Sequence, residues 1–238
     1  MSKKEIVIGV LGGMGTYATI NLFNEYTRVF PAIKEWERPR IIIDNRCTMP
    51  SRVRAYLYNE KKEQLIKEMT ESMDYLTKAG ANKVILACMT SHLFLPYIYK
   101  EVPKLKGKVV NLVENCASIV NKDKVKKVYI LGSEGTIDSK IFQNELEKYN
   151  IKCSVPKEEE YTIMRDCIEA VKQNKYTKKT KEQFLSLING YDYIILGCTE
   201  MPILYDKYKK FAKCKKAYDP LELALETIKK EYENEKEN

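Results

Sequence analysis

Two cysteines in this 238-residue chain stand in matching surroundings. Cys88 closes the apolar run Val84-Ile85-Leu86-Ala87 and leads into Met89-Thr90-Ser91-His92, while Cys198 closes Tyr193-Ile194-Ile195-Leu196-Gly197 and leads into Thr199-Glu200-Met201-Pro202. Short apolar runs of this kind read as buried strands, so each thiol falls at a strand end with hydroxyl side chains just beyond it. A helix starting there would lower the thiol pKa and supply a thiolate, which is a base or a nucleophile. His92 is the only histidine and stands four residues after Cys88. On a helical segment it would face that thiol and suggest acyl transfer; the alternative is a hydrogen-bonding residue at a helix start. A third element is the glycine loop Gly9-Val10-Leu11-Gly12-Gly13-Met14-Gly15-Thr16, which can bring main-chain N–H groups close to an anion at a helix N-terminus. Its spacing fits neither GxGxxG nor a P-loop, which argues against a nucleotide and favours a carboxylate. Arg52, in Thr48-Met49-Pro50-Ser51-Arg52, could clamp such a group bidentately.

Five further cysteines (47, 116, 153, 167 and 214) lack this context and read as filler. No CxxC pair occurs among the seven, which excludes zinc ribbons and dithiol redox sites. The N-terminal MSKKEIVIGV runs into glycines without a cleavage-like site, so no signal peptide is expected, and free thiols suit a reducing cytoplasm. Apolar runs are far shorter than the ~20 residues of a membrane span. The net charge of +8 comes from lysines interleaved with acids on helical segments, and the 17 tyrosines are scattered. That pattern describes a solvated surface rather than a nucleic-acid interface.

Near-continuous apolar strands (6–11, 40–44, 83–87, 108–111, 127–131, 152–154 and 193–196) alternate with amphipathic helical stretches (17–30, 59–79, 112–120, 139–149, 161–173, 178–189 and 220–233). The alternation implies parallel sheets covered on both faces. The terminal ENEKEN reads as a frayed tail. An internal echo divides the chain: LGGMGT at 11–16 returns as LGSEGT at 131–136, and the two cysteine segments follow in the same order. Two similar α/β domains are expected, with the loops beyond the carboxyl ends of their strands forming the site.

Taken together, the motifs resemble the aspartate/glutamate racemase family, which uses two cysteines and no cofactor. The opening pattern near GxLGGMGPxAT is similar to Gly9–Thr19, the first cysteine motif near ACNTxH to Ala87–His92, and the second near LGCTExP to Leu196–Pro202. The turn Met49-Pro50-Ser51-Arg52, Lys172 and Asp219-Pro220 also resemble family positions. The resemblance implies two pseudo-symmetric domains, each a mostly parallel sheet flanked by helices, with the active site in the cleft between them. Domain bounds of 1–108 and 109–208 are expected, with a C-terminal helix (about 209–238) returning to the first. Cys88 and Cys198 would be the acid/base pair for an acidic amino acid, aspartate or glutamate. Arg52 and Lys172 would hold carboxylates, while Thr90, Thr199, Met14, Gly15, Met89 and Glu200 would line the substrate site. The implied partners are a small-molecule carboxylate and a second copy of the chain, without metal, nucleic acid or membrane. Two departures stand out: Met89 replaces the family asparagine and Thr16 the family proline. The alternatives are a related cis–trans isomerase, decarboxylase or hydantoin-type racemase, or a lapsed homologue that only binds a ligand.

Overall fold

The computed structural model describes residues 5–237. Its first half runs β1 (Val7–Gly12), α1 (Thr16–Val29), β2 (Arg40–Asn45), α2 (Arg52–Leu57), α3 (Lys62–Lys78), β3 (Lys83–Leu86), α4 (Leu95–Glu101) and α5 (Leu112–Lys122). The second runs β4 (Lys127–Ile130), α6 (Glu134–Asp138), α7 (Ile141–Glu147), β5 (Lys152–Ser154), α8 (Tyr161–Lys172), α9 (Lys178–Ile188), β6 (Tyr193–Ile195), α10 (Met201–Tyr208), β7 (Lys216–Tyr218) and α11 (Pro220–Glu237). All ladders are parallel, in the orders β2-β1-β3 and β5-β4-β6-β7. A single bridge, Val84 to Val109, marks where the first sheet has its counterpart of β7. The two sheets therefore repeat one topology.

Side chains along the strands alternate between two different cores, as the two-residue period of a strand requires. Ile8, Val10, Ile85, Val128, Ile130 and Ile195 all point into one shared apolar layer. Val7, Leu11, Val84 and Leu86 face the opposite way onto α3, and Tyr129, Leu131, Ile194 and Leu196 face α8, α9 and α10. The shared layer is filled from α1, α5, α7 and α11 by residues such as Leu22, Val113, Phe142 and Leu225. Each of these is worth about 1.5–3 kcal/mol when withdrawn from water, so the layer binds the halves firmly.

Within that layer the halves exchange their last helices. Helix α5 leaves the first half and packs on α7, while α11 leaves the second and packs on α1 and β3; α5 and α11 also pack on each other. Both are capped alike, by the side chains of Asn111 and Asp219 accepting from the first-turn N–H groups.

Several elements differ from the sequence expectation. Residues 108–111 make only the Val109 bridge, because the Leu105 carbonyl holds the N–H groups of Lys108 and Val109 and Asn111 already caps α5. The pattern over 59–79 begins late, at Lys62, since Asn59 and Lys61 take left-handed backbone angles. Strand β7 was not expected; α11 starts at Pro220, as the 220–233 pattern has it, and not near 209, since α10 and β7 precede it. The expected frayed tail continues α11 through Glu237, and Asn238 and residues 1–4 lie outside the described residues.

Candidate active site

Four strand ends converge on one cavity of about 450 Å³. The loop after β1 contributes Met14, the segment after β3 contributes Cys88, Met89 and Thr90, and the segment after β6 contributes Cys198, Thr199 and Glu200. The loop after β4 adds Ser133, Glu134 and Thr136. Helix α2 presents Arg52, and the last turns of α8 present Ile168, Glu169 and Lys172. Of the residues expected to form the substrate site, all line this cavity except Gly15, and His92, the candidate base, does not line it either. That glycine lies against Glu200 instead: a Cβ there would stand 2.7 Å from Glu200 Oε1.

The two thiols have unlike surroundings. The Cys198 thiol donates to Glu200 Oε2 at 3.0 Å, and the Thr199 hydroxyl donates to the same oxygen at 3.3 Å. Burial, and then the Glu200 carboxylate, push the Cys198 thiol well above its ordinary pKa; Cys88 adds in the same direction. This corrects the expectation that a helix start would lower it. The main-chain N–H of Glu200 does act that way, but burial and the neighbouring anion outweigh it. Thr90, at the same offset from Cys88 as Glu200 from Cys198, bonds to hydroxyls instead: Ser133 Oγ at 3.3 Å and Thr136 Oγ1 at 3.1 Å.

His92 is a structural residue. Its Nδ1 donates to the carbonyls of Cys88 (3.1 Å) and Met89 (3.2 Å), and its Nε2 accepts from the Leu112 N–H at 3.3 Å. Burial lowers its pKa to about 4, so it is neutral and ties the Cys88 turn to the start of α5. It does not serve the thiol as a base. Met89, where the family has asparagine, is buried and packs into the shared apolar layer as well as lining the cavity.

Arg52 donates to the main-chain carbonyls of Pro50 (3.0 Å) and Met14 (2.6 Å), and among the described residues no carboxylate pairs with it. Its Nε is buried with no partner among the described residues. The guanidinium is thus held rigidly with its charge uncompensated, as an anion site requires. Lys172 bonds Glu169 at 3.1 Å; burial opposes its charge, but Glu169, Glu200 and Cys198 together hold its pKa above the ordinary lysine value. Gly13, with φ of +78°, allows the loop beyond β1 to pass over residues 46–47, and its N–H is taken by Thr19 Oγ1 at 3.1 Å rather than offered to the cavity.

Sequence reasoning missed Ser133, Glu134, Thr136 and the α8 residues Met164, Arg165 and Ile168. The echo of LGGMGT in LGSEGT was the available signal for the first three. Arg54 and Arg165 also reach the cavity, each beside a carboxylate: Arg54 with Glu60 at 2.5 Å and Arg165 with Glu134 at 3.8 Å.

Repeated parallel sheets that send one thiol each to a common cavity define a two-half α/β protein with paired cysteines. The chain matches the model of the Asp/Glu/Hydantoin racemase family over residues 11–228, and it belongs to that family. An aspartate racemase from Picrophilus torridus has a similar structure, with a TM-score of 0.78, 27% identity, and coverage of 96% of this chain and 98% of that one. The broad specificity amino-acid racemase RacX of Bacillus subtilis is 27% identical over 210 residues, 84% of this chain and 88% of that protein. A glutamate racemase from Persephonella marina is 29% identical over 163 residues, which span 64% of this chain and 59% of that relative's length. These relatives are isomerases by name.

Proposed function

We propose that this protein racemises an α-amino acid, aspartate or glutamate first among candidates, by a two-base mechanism that needs no pyridoxal phosphate. The observation that carries the reading is the presence of Cys88 and Cys198 on one cavity, each delivered by the end of a strand of its own sheet, β3 and β6. An α-hydrogen is very weakly acidic, so its removal requires a base together with fixed positive charge for the carbanion-like state. Inversion requires a proton donor on the opposite face. Cys88 as thiolate takes the α-proton in one direction while the Cys198 thiol returns one, and the roles exchange for the other enantiomer. The bond between Cys198 and Glu200 keeps that second thiol protonated at rest. Arg52 receives the α-carboxylate, and Lys172 the side-chain carboxylate once Glu169 releases it. An exposed i,i+3 pair of that kind is worth under about 1 kcal/mol, so exchange is easy.

In the same reading the chain works in the cytoplasm as a homodimer, and its domains divide at 1–108 and 109–208, with the last helix returning to the first. Incubation with L-aspartate or L-glutamate in deuterium oxide tests the reaction. The D-enantiomer and α-deuterium should accumulate together, and the absence of both for either amino acid removes it as a substrate.

A further inference from the structure

Glu200 carries a buried carboxylate to which no cation among the described residues hydrogen-bonds; Lys172 acts on it only at longer range. The residue is 4% exposed and lines the cavity. Its Oε2 accepts from the Cys198 thiol and the Thr199 hydroxyl, both neutral donors. Its Oε1 makes no hydrogen bond to a described residue, and the lack of a side chain at Gly15 leaves room for it. Lys172, a nearby cation, is bonded to Glu169 rather than to Glu200. A carboxylate withdrawn from water to this degree calls for a positive partner. The cavity is where one can arrive.

The placement of Glu200 beside the Cys198 thiol decides what the partner is. A substrate whose α-carbon exchanges a proton with Cys198 carries its ammonium group one bond from that carbon, beside the carboxylate the thiol already touches. We propose that Glu200 receives the α-ammonium group of the substrate and, once paired with it, no longer holds the Cys198 proton in place. The inference rests on reading the cavity as an amino-acid racemase site. No proton moves in forming the ammonium–carboxylate pair. The proton that Cys198 gives up goes to the α-carbon as Cys88 removes the original one, and the reverse direction returns it. The gate is one-sided, since Thr90 holds the equivalent place beside Cys88 and carries no charge. It also selects: an amine-free carboxylate, of the kind handled by related isomerases and decarboxylases, would leave the Glu200 charge in place and Cys198 locked.

Two measurements on the full chain test this. The first follows alkylation of Cys198 by iodoacetamide against pH, read by mass spectrometry at that residue, in the wild type and in Glu200→Gln. The groups that set the profile are Glu200 at the thiol, Cys88 across the cavity and Lys172. Removing the carboxylate should speed alkylation near neutral pH by about tenfold or more. The second measures binding of 2-methylaspartate, which has the amine but no α-hydrogen, and of 2-methylsuccinate, which lacks the amine. The wild type should prefer the amine by about tenfold or more, the strength of one charged hydrogen bond, and Glu200→Gln should lose the preference. The wild-type comparison stands even if the variant folds poorly. An unchanged alkylation profile in a folded Glu200→Gln, or wild-type binding in which the amine makes no difference (including no binding of either compound), overturns the proposal. Amine preference with no racemisation of any amino acid supports it and refutes the proposed reaction instead.

Discussion

Between about pH 4 and pH 7, two buried groups should pull stability in opposite directions. His92 is held neutral, its pKa lowered by burial from 6.5 to about 4 against the two carbonyls it bonds. Below the unfolded value the free imidazole takes up a proton that the folded one refuses. Its contribution is therefore complete above pH 6.5 and is lost as pH falls toward 4. At 1.36 kcal/mol per pKa unit, the loss amounts to about 3 kcal/mol. Asp219, at the start of α11, moves the other way: burial, with Glu222 and Glu25 adding, raises its pKa from 3.8 to about 7. The folded carboxyl keeps a proton the unfolded chain releases, so stability is complete below the unfolded value and about 4 kcal/mol is lost as pH rises to 7. The wild type should thus show a nearly flat response to these two groups. Urea denaturation across this range should separate them in variants. His92→Gln stays neutral at every pH, so the wild type should lose about 3 kcal/mol relative to it on acidification. Asp219→Asn keeps the acceptor that caps Leu221 (2.9 Å) and should gain about 4 kcal/mol relative to the wild type as pH rises. Parallel stability profiles for the three proteins would refute the assignment of both charges.

Other outcomes follow from the same geometry. Cys88→Ala and Cys198→Ala should each abolish α-deuterium incorporation while melting within a few degrees of the wild type, as checked by nuclear magnetic resonance and calorimetry. Arg52→Lys keeps the charge but loses the fork that holds the Pro50 and Met14 carbonyls, and steady-state kinetics should show kcat/KM down by about tenfold or more. Gly13→Ala should destabilise by about 3 kcal/mol in thermal denaturation, because its φ is +78° and a Cβ would stand 2.4 Å from the Arg46 carbonyl carbon. Gly107→Ala, with nothing within 4 Å of the added methyl, should change stability little. Alkylation should stop racemisation, and treatment with a chelator should leave it unchanged.

The parallel sheets were legible because buried strands flanked by amphipathic helices leave a strong apolar signature, clearest in Val84–Ala87 and Tyr193–Leu196. Strand β7 was not, since Lys216-Ala217-Tyr218 is short, carries a charge and is a strand only by pairing with β6. The short helices α2, α4, α6 and α10 escaped for a related reason: fewer than three turns show little of an amphipathic period. Within the site, the cysteines, Arg52 and Lys172 announced themselves by type and context. Ser133 and Thr136 did not, because small hydroxyl residues at a turn look alike whether or not they face a cavity. The unlike states of the two thiols depend on burial and on the direction of one carboxylate, and spacing encodes neither.

The reciprocal exchange of α5 and α11 constrains how the molecule is made. A ribosome releases the first sheet long before α11, yet the apolar face formed by Ile8, Val10 and Ile85 is closed partly by Leu221, Leu225 and Ile228. The earlier half must therefore wait, with a bare surface, for α11. Assembly in sequence, one half at a time, is denied to it, and maturation should depend on high-contact-order docking that begins only once α11 has been made. Nascent chains stalled short of Pro220 should be the ones that chaperones hold.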